Sequence, residues 1–313
     1  MIKPIFRIIV TILLLSIVLW RAQPLQIWET LSTINLWLYM GALLITLLDQ
    51  SLSTLRWKLL IEQIVGKIKT LTLIPIYILS TTLNFTLPST ITGDSFKIIR
   101  VKQTFRESSL ISITVATLLE RVLGLSTMLF LLTIFAPLAS VNLYFKILVA
   151  VGSACLFIVL IGGIVYAHAM YKLIQLLAPK IARQKLVVQT FATLEEYRTS
   201  RWRLVYGWVL SLITQILTTT NELLLFYIVG VSLPLEMLFF VIPLTRIVAA
   251  LPISIGGIGV QEVTLVGLLL ATGIGATQIT AYTLTQYSIF LVLGVVSGIT
   301  FSLKPSLYSV YKD

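Results

Sequence analysis

The sequence predicts an all-α fold: a polytopic helical membrane protein with two inverted broken-helix hairpins. Three observations carry this. Apolar residues make up 58% of the chain and charged residues 11%, more apolar than any soluble core requires. A helix-breaking pattern occurs twice, as Leu87-Pro-Ser-Thr-Ile-Thr-Gly-Asp94 and Leu251-Pro-Ile-Ser-Ile-Gly-Gly257. Lysines and arginines crowd into alternate connecting segments.

In chain order, Lys3 and Arg7 precede an apolar run ending at Trp20, and no small-x-small cleavage site follows, so an uncleaved first helix is expected over about Pro4–Trp20. A second span is expected near Ile34–Leu48, then a polar segment from Asp49 to Lys69 carrying Arg56, Lys58, Lys67 and Lys69. Leu71–Leu87 leads into the first break, and Lys97, Arg100, Lys102 and Arg106 follow it. Spans are expected at about Ser108–Ala136, Leu143–Met170, Leu204–Val229 and Ala281–Leu303. Within the polar stretch Lys172–Arg203, residues Val187, Val188, Phe191, Leu194 and Tyr197 recur at helical spacing, which predicts an amphipathic helix on the membrane surface. Leu235–Leu251 enters the second break and Val263–Thr272 leaves it. Trp20, Trp37, Trp57, Trp202 and Trp208 stand near span ends, where interfacial anchors belong.

The two breaks align without gaps: Leu87 meets Leu251, Pro88 meets Pro252, Thr90 meets Ser254, Ile91 meets Ile255 and Gly93 meets Gly257. Proline removes a helix donor and clashes with the preceding turn, hydroxyls can serve the freed backbone groups, and glycine permits a tight reversal. With the N-terminus inside, segments 49–69, 97–107, 172–203 and the C-terminus also fall inside and hold nearly all the cations. The outer loops 21–33, 137–142, 231–236 and 273–280 hold only Arg21. The first break is then flanked by inside segments and the second by outside segments, which is an inverted-topology repeat with halves at about 34–136 and 204–303 of one membrane domain spanning 1–313. Re-entrant and fully crossing hairpins both fit; Val263–Thr272 is short for a span of ~20 residues.

Ionisable groups at membrane depth cost about 2.5–3.5 kcal/mol each on insertion scales and are functional candidates. They are Asp94, Glu120, Arg121, Glu222, Arg246 and Glu262: four acids against two bases. Glu120 and Arg121 are neighbours, so on a helix they point about 100° apart and need separate partners. Arginine suits a phosphate because its planar fork binds two oxygens; carboxylates suit an amine or sugar hydroxyls. Glycines would let backbone N–H groups approach an anion. The candidate headgroup-binding residues are Asp94, Glu120, Arg121, Arg246, Glu262 and Ser254. Asn84, Pro88, Gly93, Pro252, Gly256, Gly257 and Gly259 would form the hairpin tips. The competing reading makes the charges buried ion pairs that lock helix packing, and the glycines close-packing sites.

Cys155 and His168 are the sole residues of their kinds, so neither a disulfide framework nor a Cys- or His-ligated metal site is expected, and no cofactor is implied. The net charge of +11 suits inward-facing loops and anionic lipid headgroups better than nucleic acid.

Three ordered stretches resemble the signatures of the lysylphosphatidylglycerol synthase transmembrane-region family: Leu83-Asn-Phe-Thr-Leu-Pro-Ser-Thr-Ile-Thr-Gly-Asp94, Glu120-Arg-Val-Leu-Gly124 and Leu251-Pro-Ile-Ser-Ile-Gly-Gly-Ile-Gly-Val-Gln-Glu262. That family includes the flippase half of multiple peptide resistance factors and stand-alone flippase-like proteins. The resemblance covers nearly the whole chain. It implies translocation of a phospholipid or related lipid, such as an aminoacylated phosphatidylglycerol, between leaflets of the cytoplasmic membrane. Membrane lipids, anionic or zwitterionic, would be the partners, with a lipid-modifying enzyme as a further one. First-motif members usually read Pro-Gly-x-x-Gly-Gly-Asp; here Ser89 and Thr92 replace two glycines, which stiffens the loop. No soluble aminoacyltransferase domain is expected after Asp313, so the word synthase does not carry over. Two alternatives stay open: a membrane-embedded transferase using Asp94, Glu120 or Glu262 as base, although no Asp-x-Asp or nucleotide-phosphate loop is present, and a scaffold for a lipid-modifying enzyme.

Overall fold

The structure, a computed structural model, describes residues 28–29, 31–86, 92–251, 253–254 and 257–303. The expected first helix Pro4–Trp20, the tip residues Pro88, Pro252 and Gly256, and the C-terminal Lys304 and Lys312 lie outside the described residues.

All regular elements among the described residues are helical. Helix α1, Leu36–Val65, starts where the Asn35 side chain accepts from the Trp37 and Leu38 amides, and stops at Gly66, whose φ is +84°. At 1.5 Å per residue its 30 residues reach about 45 Å, well beyond the ~30 Å hydrocarbon layer. The span expected at Ile34–Leu48 therefore does not end at Asp49; the helix runs through the polar segment to Val65. Gln50, Ser53, Thr54, Trp57, Leu60 and Ile61 recur at helical spacing and are all buried, so the polar residues face neighbouring helices rather than water. Trp57 is correspondingly no interfacial anchor: it is fully buried, and its indole N–H donates to Thr117 Oγ1 at 3.2 Å. Trp37 and Trp202 do stay exposed at helix ends.

Helices α2 (Thr70–Thr86, containing Pro75) and α3 (Thr92–Thr104) form the first hairpin. Helix α4, Leu110–Phe135, is capped by the Ser109 hydroxyl and closes in a 3-10 turn at Ala136–Leu138 containing Pro137. Helix α5, Leu143–Val165, packs mainly on α4 and buries little beyond Ser153, as a lipid-facing helix does. The expected span to Met170 breaks at Tyr166, after which come α6 (Ala167–Leu177), the single turn α7 (Pro179–Ala182) and α8 (Lys185–Thr199).

Helix α8 is the one expected as amphipathic, and part of the expected stripe carries its contacts: Tyr197 is buried, Leu194 packs beside it and Phe191 stacks on Tyr171. Thr193 and Tyr197 face the bundle, while Val188 is exposed. Thr193 Oγ1 donates to the Ser112 hydroxyl at 2.9 Å and the Tyr197 hydroxyl donates to Leu60 O at 2.6 Å. Burial pushes the Tyr197 phenol above its ordinary pKa, so it remains a donor across the physiological range.

Helix α9, Arg201–Ile228, is followed by the second hairpin, α10 (Leu235–Ala249, containing Pro243) and α11 (Val260–Leu269), and by α12 (Ala276–Leu303). Among the described residues, five helices are long and apolar enough to cross a membrane: α1, α4, α5, α9 and α12. The 17-residue α2 and 10-residue α11 are shorter apolar arms. The chain is an all-α, multi-pass membrane protein.

Helices α1 and α9 pack antiparallel. Arg203 donates to Leu59 O, Arg56 to Ser211, Thr218 to Asp49 and Asn221 to Thr46, so position rises on one helix as it falls on the other. Around them α2 packs on α12, and α10 on α4. Apolar residues form two cores. One gathers Ala42, Leu132, Leu225, Met237, Leu269 and Ile274; the other gathers Trp57, Leu73, Val101, Phe105, Ile113 and Tyr197. The outer ends of α2 and α3 thus sit in the second core, and those of α10 and α11 in the first. Between apolar helices in lipid, association rests on close packing and hydrogen bonds rather than on hydrophobic burial. Gly294 shows this: a Cβ there would lie 2.4 Å from Thr82 Cγ2, so α12 packs on α2 with no room for a side chain at this position.

Candidate functional site

Between the two cores lies a polar cavity of about 270 Å³, at the ends of both hairpins. Asp49 and Gln50 of α1, Thr81 and Asn84 of α2, Arg121 of α4, Thr218, Asn221 and Glu222 of α9, Arg246 of α10, Gln261 of α11 and Gln286 of α12 all line it. Seven helices, α1, α2, α4, α9, α10, α11 and α12, each contribute a polar side chain to it.

The first hairpin closes on itself. The Gly93 amide donates to Asn84 Oδ1 at 2.8 Å, and a Cβ on Gly93 would sit 1.8 Å from Ser80 O, so the start of α3 touches the α2 backbone. That places Asp94 in the first turn of α3, where the helix dipole favours a carboxylate. Asp94 pairs with Arg121 and, at 3.4 Å, with Lys97. Arg121 remains 42% exposed at the cavity wall.

Glu120 points elsewhere, as its 100° separation from Arg121 requires. It is buried, accepting from Arg56 Nη2 at 2.9 Å, from Lys97 Nζ at 2.8 Å and from the Tyr77 hydroxyl. The Lys97 ammonium also lies over the Tyr77 and Trp57 rings, 4.7 and 5.1 Å from their centroids. A continuous chain of charge thus runs Arg121, Asp94, Lys97, Glu120, Arg56 from the cavity wall into the packed interior.

Also lining the cavity, Arg246 donates to Glu222 at 2.7 Å, and Glu222 accepts as well from Tyr282 and from Gln286 Nε2 at 2.6 Å each. Gln286 in turn accepts from Gln261, tying α9, α10, α11 and α12 together.

Of the expected binding residues, Arg121 and Arg246 are brought together on one cavity. Asp94 stands behind Arg121, and Glu120 lies behind Asp94 and Lys97. Glu262 and Ser254 do not line the cavity. The Glu262 carboxylate accepts from the Gly259 amide at 2.7 Å, closing the N-terminus of its own helix, and from the Tyr287 hydroxyl at 2.8 Å. The Ser254 hydroxyl is buried with no hydrogen-bond partner among the described residues. Gly257 and Gly259 have φ of +81° and +82°, and a Cβ on Gly257 would meet Ala249 Cβ at 2.9 Å, so the second break needs glycine for both conformation and space.

The expected excess of four acids over two bases changes, because Lys97 and Arg56 are interior cations. Sequence reasoning also missed Asp49 at the cavity. Lys97, three residues after Asp94, had a signal in its helical spacing. Asp49 and Arg56 had one in lying seven residues apart on the face that carries Gln50, Ser53 and Thr54.

A family model, lysylphosphatidylglycerol synthase TM region, matches residues 5–298. No curated protein matches the chain. The three signature stretches fall where the structure puts the two hairpin breaks and the Glu120-Arg121 pair between them, and the match spans nearly the whole chain: the protein belongs to the lysylphosphatidylglycerol synthase transmembrane-region family.

Proposed function

We propose that the protein translocates a phospholipid or related lipid, such as an aminoacylated phosphatidylglycerol, between the leaflets of the cytoplasmic membrane. The headgroup would occupy the cavity, and the phosphate would be shared by Arg121 and Arg246. The observation that carries this reading is that two arginines, one from each half of the chain, line one polar cavity where two broken hairpins end. A guanidinium presents its donors in a planar fork that fits phosphate as well as carboxylate, so a phosphate can exchange with the Asp94 and Glu222 contacts. Translocation needs binding and reorientation, and makes no bond. Antiparallel α1 and α9, with the arms of the two hairpins anchored in opposite cores, support an inverted repeat, in which rocking one half against the other would open the cavity to alternate faces.

Two experiments test this. In the orientation proposed, with both termini cytoplasmic, single cysteines in 98–106 label only from the cytoplasm and those in 231–236 only from outside; labelling of both from one side overturns the inverted arrangement. In proteoliposomes carrying labelled phospholipid, Arg121→Gln or Arg246→Gln lowers transport by about 10–100-fold, the loss of a charge-assisted contact of about 1.5–3 kcal/mol. Pairing each with its carboxylate partner, as Arg121→Gln with Asp94→Asn or Arg246→Gln with Glu222→Gln, restores thermal stability but not transport. Rescue of transport by either pair assigns the arginines to packing alone.

A further inference from the structure

We infer that Asp49 and Asn221 form a monovalent-cation subsite in the cavity that the two arginines also line; this rests on reading the cavity as the headgroup site. Of the carboxylates around the cavity, Asp94 and Glu222 each have a cation as partner. Asp49 has none within 4.0 Å among the described residues; it accepts only from Gln50 Nε2 at 3.2 Å and the Thr218 hydroxyl at 3.1 Å. Asn221, with 8% of its surface exposed, supplies the second, independent sign. Its Nδ2 donates to Thr46 Oγ1 at 2.9 Å, while the Thr46 hydroxyl donates to Ala42 O at 2.8 Å. Thr46 can therefore only accept from Asn221, which fixes which end of the amide is which. The remaining Oδ1 is buried without a donor. Arg246 and Arg56 act on Asp49 only across space, so a cavity lined by an unsatisfied buried acceptor and a carboxylate in no direct ion pair calls for a positively charged ligand.

The geometry of the helix pair brings these groups to one place. Thr46, Asp49 and Gln50 lie on one face of α1; Thr218 and Asn221 lie on the facing turn of antiparallel α9, and all five line the cavity. The set is one carboxylate with neutral amide and hydroxyl oxygens, and no cluster of three His, Cys, Asp or Glu side chains occurs among the described residues. That composition suits a single positive charge rather than a divalent or transition metal. With Arg121 and Arg246 lining the same cavity, the ligand offers an anion to the arginines and a cation to Asp49 and Asn221. The cation has two sources: an ammonium carried by the lipid headgroup, or a free alkali ion entering beside an anionic lipid.

The test uses the purified full chain, with thermal unfolding as readout. Short-chain phosphatidylethanolamine and phosphatidylglycerol are titrated in sodium, potassium or choline chloride at fixed ionic strength. If the cation belongs to the headgroup, phosphatidylethanolamine binds at least about tenfold more tightly in every salt. If it is a free ion, sodium or potassium, but not choline, tightens phosphatidylglycerol binding by about tenfold or more. In either case Asp49→Asn erases the discrimination and Asn221→Leu weakens it, the second variant serving where the first does not fold. Equal titration of both lipids in all salts, or discrimination unchanged in both variants, overturns the subsite. If neither lipid binds, the headgroup reading fails by itself; an alkali-ion shift of unfolding that Asp49→Asn removes then still supports the cation subsite, and its absence overturns it.

Discussion

Glu120→Ala is expected to destabilise the protein by about 3–5 kcal/mol, enough to prevent recovery of folded protein from most preparations. The magnitude follows from what the substitution leaves behind. Glu120 is 2% exposed and takes donors from Arg56, Lys97 and Tyr77. Without it, Arg56 keeps the Ser211 hydroxyl and Lys97 keeps Asp94 at 3.4 Å, but two interior cations have lost their shared counter-charge. Breaking a buried ion cluster from one side costs far more than removing it whole, because the surviving charges remain desolvated. Glu120→Gln, which keeps the volume and one acceptor, falls between wild type and Ala. Combining Glu120→Gln with Lys97→Met removes one charge of each sign and recovers part of the loss, a coupling read from a double-mutant cycle of unfolding in detergent. Additive single effects in that cycle, or wild-type unfolding of Glu120→Ala, would show that the cluster does not hold α1, α2, α3 and α4 together.

The cluster also marks where reading the sequence succeeds and where it stops. Gly257 announces its break because backbone chemistry is local: the need for a positive φ can be read from a single residue. The separate fates of Glu120 and Arg121 are local too, since helical geometry alone sends neighbours to different faces. Partners are a tertiary property, and there hydropathy misled. Asp49, Arg56 and Lys97 read as loop charges because a charge near an apolar run usually marks its end. In the folded chain each finds a counter-charge or a hydroxyl on another helix. Trp57 failed as an anchor for the same reason. Glu262 had a visible alternative: Gly259-x-x-Glu262 has the spacing of a capping box, and the carboxylate does close its own helix.

Gly93→Ala is the second large effect expected, and it separates the hairpin from the ion cluster it carries. The added methyl would lie 1.8 Å from the Ser80 carbonyl oxygen and 2.9 Å from Asn84 Cγ. The oxygen belongs to the backbone of α2, so no side-chain rotation relieves the contact; α3 has to withdraw by more than about 1 Å, a displacement that close-packed helices resist. Gly93 immediately precedes Asp94 and lies four residues before Lys97, so withdrawal pulls on the Arg121 and Glu120 contacts together and weakens the Gly93 to Asn84 hydrogen bond. Stability is expected to fall by about 1–3 kcal/mol through overpacking, and transport to fall further than that loss explains, because Arg121 loses its positioning partner. A graded series checks the cause. Gly152→Ala, where nothing lies within 4 Å, should match wild type. Gly294→Ala meets Thr82 Cγ2 at 2.4 Å and Thr82 Cβ at 2.9 Å, and should be intermediate because turning the side chain relieves the first contact but not the second, which is still far looser than the 1.8 Å contact at Gly93. Thermal unfolding and labelled-lipid translocation are measured for all three. The order wild type, Gly152→Ala, Gly294→Ala, Gly93→Ala is expected in both, and a Gly93→Ala protein that unfolds and transports like Gly152→Ala would mean that the arms of the first hairpin do not pack at backbone distance.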